Sequence, residues 1–402
     1  MNIKKLRKDF PILQKKISGK FPIYFDNACQ TLRPKNVIDK ILEYYTQYPA
    51  CGGRSIHKWG DRTTKEFEHS REIIAKLIGA EDSKEIIFTK NTTEGLNLVA
   101  HSLNFKKGDI VLGSDREHNS NLIPWQILTK TKGIKHKIVP SKPDSTFDLE
   151  KFKFMVKGAR LVSIIYTSNI DGYTLPVKEI IKTAHDHGAL VMLDAAQTIP
   201  HKEIDAKKLD VDFLAFSGHK MLGPSGTGIL YGKYHLLEEL NPIFTGGGVA
   251  KNTTYTGHEL LEPPEKFEAG LQNYAGMIGL GEAAKYLMKV GLNNIEKHEL
   301  ELNKIATEGL LEIDGSRIIG IQDYRLRSGV ISFGLDGIHS HDICMILDDT
   351  ENIMIRSGSH CVHSWFNSRG IQGSARASFY LYNTKEEVEK FVDALKKVRK
   401  AI

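Results

Sequence analysis

Short apolar runs alternate with amphipathic segments along most of the chain. Residues 160–166 (RLVSIIY), 189–194 (ALVMLD), 212–216 (DFLAF) and 227–231 (TGILY) are apolar without a polar alternation. Strands of this kind, apolar on both faces and separated by helices, predict a parallel sheet covered by helices. Residues 177–187 (VKEIIKTAHDH) read as one such helix, stopped by Gly188. Phe67, Ile74, Leu77 and Ile78 have helical spacing and predict a helix over 63–78 that ends at Gly79. Near the C-terminus, Thr384 and Glu387 have the spacing of a capping box, ahead of an apolar stripe of Val388, Phe391, Val392, Leu395 and Val398. Residues 245–275 break the pattern with Gly246-Gly247-Gly248 and Pro263-Pro264, where a loop out of the large domain is expected. The expected organisation is a large domain over 16–284 and a smaller one built from 1–15 and 285–402.

Composition narrows the class. The 402 residues are 41% hydrophobic and 26% charged, which excludes disorder or a collagen-like repeat as the main state. A full-sized core needs no metal or disulfide staple. No apolar run approaches a membrane span of roughly 18 residues. The basic start MNIKKLRKDF lacks the apolar stretch of a secretory signal, so a cytoplasmic location is expected. The net charge of +6 is small beside 55 basic and 49 acidic residues, and the basic positions are scattered, so nucleic acid is not the expected target. Cys29, Cys51, Cys344 and Cys361 lie far apart with no CxxC pair, as reduced thiols would.

Candidate chemistry concentrates in the central α/β region. Asp194 ends an apolar strand and is followed by Ala195-Ala196-Gln197. Lys220 follows the next strand in Ser217-Gly218-His219-Lys220, ahead of Gly223-Pro224-Ser225-Gly226-Thr227-Gly228. Open α/β sheets bind ligands at the carboxyl ends of their strands. A lysine amine for an aldehyde, an acid for a ring nitrogen and donors for a phosphate are the requirements of pyridoxal phosphate. Asn91-Thr92-Thr93-Glu94-Gly95 follows the expected strand 86–89 and opens a helix, where free N–H groups and hydroxyls make an anion site. The glycine-rich stretch is not a Walker A loop, since no Gly-Lys-Ser/Thr follows. A lysine is more often a surface residue, and an Asp at a strand end is often a helix cap or a magnesium ligand. Spacing alone leaves those readings open beside the cofactor.

Eight ordered motifs carry a resemblance. They are Asp26-Asn27-Ala28, Asn91-Thr92-Thr93-Glu94-Gly95-Leu96-Asn97, Glu117-His118-Asn119-Ser120-Asn121, Ser168-Asn169, Asp194-Ala195-Ala196-Gln197, Ser217-Gly218-His219-Lys220, Arg356-Ser357-Gly358-Ser359-His360-Cys361, and Arg376-Ala377-Ser378 with Tyr382-Asn383-Thr384. The chain resembles the cysteine desulfurases of the class V aminotransferase family, most closely the Suf-type group, over nearly its whole length. The resemblance implies a fold type I pyridoxal phosphate-dependent transferase. Its large domain would hold a mainly parallel seven-stranded sheet, and a smaller α/β C-terminal domain would carry the Cys361 loop. It also implies a homodimer acting on L-cysteine, with a sulfur-acceptor protein downstream and iron–sulfur assembly or another sulfur-containing product as the destination.

The matching positions acquire implied roles. Lys220 would hold the cofactor covalently, Asp194 would face its ring nitrogen, and His118 would stack on the ring and shuttle protons. Asn169 and Gln197 would lie near the phenolic oxygen; Thr92, Thr93, Ser217 and His219 would hold the phosphate. Arg376 and Arg356 would clamp the substrate carboxylate, a task suited to the planar guanidinium fork. His57 matches a family histidine near the site. Cys361 would take the sulfur as a persulfide. A free cysteine is more often buried and inert, but the Gly- and Ser-rich loop here, with Arg356, His360 and His363, reads as electropositive rather than as core. A zinc site at His360, Cys361 and His363 lacks a second spaced pair of ligands, and no metal is expected.

Three positions depart from the family pattern. Cys29-Gln30 stands in place of small residues, Cys51-Gly52-Gly53 is atypical, and Leu271 replaces a threonine that usually reaches the partner subunit's phosphate. Other readings within the family are a selenocysteine lyase or another β-lyase. Outside enzymes, the reading is a sulfur-assembly partner that keeps the fold without turnover.

Overall fold

The computed structural model describes residues 1–400; the last two positions of the 285–402 segment lie outside the described residues. A seven-stranded sheet runs in the order Ile86–Thr89, Gly228–Gly232, Phe213–Ser217, Leu190–Asp194, Ala159–Ile165, Ile110–Ser114, Lys135–Val139. Six strands point the same way. Gly228–Gly232 is antiparallel to both of its neighbours, so the sheet is mainly parallel, as expected.

The unbroken apolar runs follow from this architecture. Val191 and Leu193 face one side with Leu214 and Phe216, meeting Phe67, Ile74, Met277 and Leu280 of the helices Lys58–Ile78 and Tyr274–Val290. Met192 faces the other side with Phe213 and Ala215, meeting Leu96, Val99, Trp125 and Leu128 of Thr92–Ser102 and Ile123–Lys132. Adjacent side chains on a strand point oppositely, so burial on both faces demands a continuous apolar run. Gly79 closes the helix Lys58–Ile78 in the left-handed conformation, at φ 64°.

A second sheet of four antiparallel strands has the order Ser316–Ile319, Val330–Leu335, Ser374–Ser378, Arg356–Gly358. Helices Leu292–Leu311, Ser340–Glu351 and Lys385–Lys400 bury Leu302, Ile343, Phe391 and Leu395 with its strands. The expected capping box forms: Thr384 N–H donates to Glu387 at 3.1 Å, and Glu387 N–H to the Thr384 hydroxyl at 3.2 Å.

The chain's passage between the two sheets differs from the sequence-based division. Helix Tyr274–Val290 runs unbroken through residue 284, and Gly291, at φ 86°, separates it from the next helix. Phe10 and Leu13 belong to the core of the larger sheet, where Phe10 packs edge-on against Tyr286 and Tyr382. Ile23 and Phe25 instead join the core of the smaller sheet, and Ile23–Tyr24 pairs in parallel with Ile353–Met354. The expected loop at 245–275 contains an exposed hairpin, Ala250–Thr253 with His258–Leu260.

Candidate active site

Carboxyl ends of the parallel strands surround one cavity of about 230 Å³. Thr92 and Thr93 follow Ile86–Thr89, His118 follows Ile110–Ser114, and Asn169 follows Ala159–Ile165; Asp194 ends Leu190–Asp194, and Ser217, His219 and Lys220 follow or end Phe213–Ser217. Opposite them, the smaller sheet contributes Arg356, His360, Cys361 and Arg376, and the N-terminal loop contributes Ala28 and Cys29. Twelve of the thirteen sequence-derived site residues therefore line a single cavity. His57 does not: it is exposed and caps helix Lys58–Ile78, its Nδ1 accepting the Gly60 N–H at 3.2 Å.

Close packing brings the helix N-terminus to the strand ends. A Cβ on Gly228 would sit 2.5 Å from the Asn91 Cα, and one on Gly95 would meet Ala215 at 3.0 Å, so glycine at both positions lets Thr92–Ser102 press on the sheet. The Asn91 side chain accepts the Glu94 N–H at 3.0 Å. The Thr92 N–H donates to the Ser217 hydroxyl at 2.8 Å, and the two hydroxyls lie 2.6 Å apart. Thr93 meets the Ser120 hydroxyl at 2.8 Å. Hydroxyls and N–H groups at a helix N-terminus form an anion site.

Burial sets the electrostatics. It pushes the Asp194 carboxyl above its ordinary range, against the pull of Lys220 and of the Ala196 N–H, which donates at 3.0 Å. It pulls the Lys220 ammonium below its ordinary range, opposed by Asp194. A lysine so placed gives up its proton readily and becomes a nucleophilic amine. Burial, then repulsion by Lys220, Arg376 and His363, lowers His118 to about 3. His118 Nδ1 accepts the Ser120 N–H at 3.1 Å, so the neutral ring carries its hydrogen on Nε2.

Glu117, fully interior behind this layer, is raised to about 7 by burial. It accepts from the Ser114 hydroxyl, from Asn121 at 2.6 Å and from the Ile165 N–H at 3.1 Å. These bonds pin the turn that presents His118 to the strand that precedes Asn169.

Asp26 stands in a motif, but sequence reasoning gives it no role at the site. Its carboxylate lies 3.5 Å from both Arg376 and Arg356, which share it as a common counter-ion. Nothing local marks residue 26 for this; only the fold brings it to positions 356 and 376. Arg376 also donates to the Asn169 carbonyl at 2.9 Å. The electropositive loop expected around Cys361 owes its charge to these arginines. His360 is buried, held near 2 by burial and by Arg376 and Arg356, and is neutral; its Nε2 meets Ser374 at 2.8 Å. His360 and Cys361 both sit in the left-handed region, at φ 50° and 60°. Non-glycine residues pay for that conformation, and such strain clusters at functional loops.

The donor set fits pyridoxal phosphate. Asn169 Oδ1, Gln197 Oε1 and Arg376 Nε are buried with no protein partner, and all three residues line the cavity. Buried polar atoms left open around a cavity are available to a polar ligand. Lys220, Asp194 and the hydroxyl-rich helix N-terminus supply the remaining requirements. Leu271 and Cys51 line a separate groove with Arg54, Gly248 and Tyr274.

Comparison with known proteins agrees with this geometry. The family model described as Aminotransferase class-V matches residues 23–391. A protein of Pyrococcus abyssi named "Probable cysteine desulfurase" is 42% identical over 400 residues, covering 99% of this chain and 98% of its own. The apo cysteine desulfurase of Thermococcus onnurineus superposes with a TM-score of 0.95 at 41% identity, over 99% of this chain and 98% of that one. The cysteine desulfurase CsdA of Escherichia coli does so with a TM-score of 0.92 at 32% identity, over 100% and 99%. This chain belongs to the class-V aminotransferase family.

Proposed function

We propose that the protein is a pyridoxal 5'-phosphate-dependent cysteine desulfurase that converts L-cysteine to L-alanine and takes the sulfur onto Cys361 as a persulfide. The observation that carries this reading is one cavity gathering Lys220 and Asp194 from the large sheet and Cys361 from the smaller one. The relatives named cysteine desulfurases, matched over nearly their full length, support the substrate.

When bound, the cofactor supplies an aldehyde for an amine and a ring that accepts an electron pair from the substrate's α-carbon. Lys220 would hold the cofactor through its amine and, once that amine is free, would be the base placed to take the substrate's α-proton. Asp194 would face the ring nitrogen and favour its protonated form. Thr92, Thr93, Ser217 and His219 would hold the phosphate; Asn169 and Gln197, whose amide N–H groups donate to the His360 and Ala28 carbonyls at 2.7 Å, would lie beside the ring substituent. Arg376 and Arg356, paired with Asp26 across 3.5 Å, exchange that carboxylate for the substrate's own. The Cys361 thiolate attacks the substrate sulfur, and the carbon–sulfur bond breaks as the new sulfur–sulfur bond forms. Lys220 Nζ and His118 Nε2 return protons to the product carbon.

The reading extends to a thiol-bearing acceptor that removes the sulfur toward iron–sulfur clusters or another product, and to a cytoplasmic setting. None of the described helices is long and apolar enough to cross a membrane. It also includes a homodimer; Ile56, Trp59, Tyr255 and Leu271 are apolar side chains left exposed on the 51–59 and 250–271 segments. The test is direct. Purified protein loaded with pyridoxal phosphate and given L-cysteine should release L-alanine; no alanine from a fully loaded preparation contradicts the assignment.

A further inference from the structure

The cavity holds a second thiol that the reaction above does not use. Cys29 lines it beside Cys361, Lys220 and Arg356. Arg356 Nη1 donates to Cys29 Sγ at 2.8 Å, and both Cys29 and Cys361 lie within electrostatic reach of Arg356 and Lys220. The remaining cysteines are placed elsewhere: Cys51 in a separate groove, and Cys344 against the core of the smaller sheet, its thiol raised to about 11 by burial. The cavity is therefore a two-thiol compartment with a guanidinium on the second sulfur. Arg376, only 2% exposed, adds an unpartnered Nε to its lining.

We infer that Cys29 is a second sulfur acceptor, which takes the sulfane sulfur from Cys361 before any external acceptor arrives. The inference rests on the desulfurase reading of Cys361. The step is an exchange that balances without oxidant or reductant. The Cys29 thiolate attacks the outer sulfur of the Cys361 persulfide, a new S–S bond forms at Cys29, and the old one breaks to return Cys361 as a thiolate. The proton of the transferred –SH then passes to the released Cys361 sulfur, so Cys361 ends as a thiol and the Cys29 persulfide as the anion, with the Arg356 guanidinium as its counter-ion in a charge-assisted contact stronger than a neutral one. Cys361 is thereby cleared for another turnover. Cys361 is exposed on a strained loop, whereas Cys29 is half-buried beside its cation. The first thiol suits a mobile attacker, the second a store.

The experiment uses the cofactor-loaded protein and an equimolar amount of sulfur-34-labelled L-cysteine. Samples quenched over time with iodoacetamide are digested, and peptides bearing each of the four cysteines are mapped by mass. Label should reach Cys361 first and then Cys29 as Cys361 declines, with none at Cys344 or Cys51. A second equimolar addition should leave sulfane sulfur on both. In Cys29→Ser the label should stay on Cys361 throughout, and in Cys361→Ser none should reach Cys29. Wild-type label that stays on Cys361 and never reaches Cys29 overturns the relay alone, as does label on Cys29 in Cys361→Ser, which would mean direct attack. Absence of label from Cys361 at every time overturns the desulfurase reading and the relay with it. The wild-type time course decides the matter even if a variant does not fold.

Discussion

The Asn119 N–H donates to the Cys361 carbonyl at 2.8 Å, so the segment that presents His118 also grips the thiol's loop. The Asn119 side-chain amide adds a bond to His363 Nδ1 at 3.0 Å. Two sheets meet at this tie, and it holds the left-handed pair His360–Cys361 over the cavity. Asn119→Ala keeps the backbone bond and removes the other. The loss of one hydrogen bond, about 1 kcal/mol, should slow alanine formation by roughly fivefold. Bound cofactor, read by its visible absorbance, should not change. An unaltered rate would show that the side-chain tie is idle.

Stability depends on a second buried pair. Arg71 meets Glu268 through two bonds, 2.7 and 3.0 Å, with both residues interior. Glu268 also accepts the Phe88 N–H at 2.8 Å and Arg71 donates to the Ile86 carbonyl at 2.8 Å, so the pair anchors the strand that leads to Thr92. Glu268→Ala leaves Arg71 paired with Glu68 at 2.9 Å but unpairs the buried Phe88 N–H and one side of the guanidinium, and should cost about 1–3 kcal/mol in urea unfolding. A cost under about 1 kcal/mol would mean that water or another acceptor replaces the carboxylate.

The pH dependence has a defined sign at His360. Its ordinary value of 6.5 falls to about 2 in the fold, from burial first and then Arg376 and Arg356. Below 6.5 the unfolded chain binds a proton that the folded chain refuses. The stabilising contribution is therefore complete above 6.5 and declines as pH falls toward 2. His360→Gln should lose less stability than the parent between pH 7.5 and 5 in paired urea titrations. Parallel losses would place the proton elsewhere.

Much of this architecture is readable from apolar runs, because a strand buried on both faces cannot conceal itself. Leu190–Asp194 and Phe213–Ser217 fall within a residue of their expected limits. The reversed direction of Gly228–Gly232 is different. Strand direction leaves no trace in apolarity; it follows from the short connection after Lys220, since a parallel crossover needs a dozen residues or more. Asp194, Lys220 and Cys361 were visible through their motifs. His57 lies outside this chain's cavity, because a motif match carries identity without position. Asp26 is legible as part of a motif, but its ion pairs are not, because Arg356 and Arg376 lie at the far end of the chain. Phe10 joins the larger sheet's core and Phe25 the smaller one's, since an apolar residue near a terminus does not declare which core receives it.

Asp194 and Lys220 make separable predictions. Asp194→Ala should leave some cofactor bound while slowing alanine formation at least about 100-fold, or about 2.7 kcal/mol of transition-state stabilisation. Lys220→Ala should abolish the visible absorbance of the covalently held cofactor. An unchanged spectrum in the lysine variant would remove Lys220 from the mechanism.

Cys361 offers the most direct test of the whole account. Loaded Cys361→Ser protein should keep the parent's visible spectrum, respond spectrally to L-cysteine, and form no alanine above background. Full desulfurase turnover in that variant would contradict the assignment of this thiol as the sulfur acceptor.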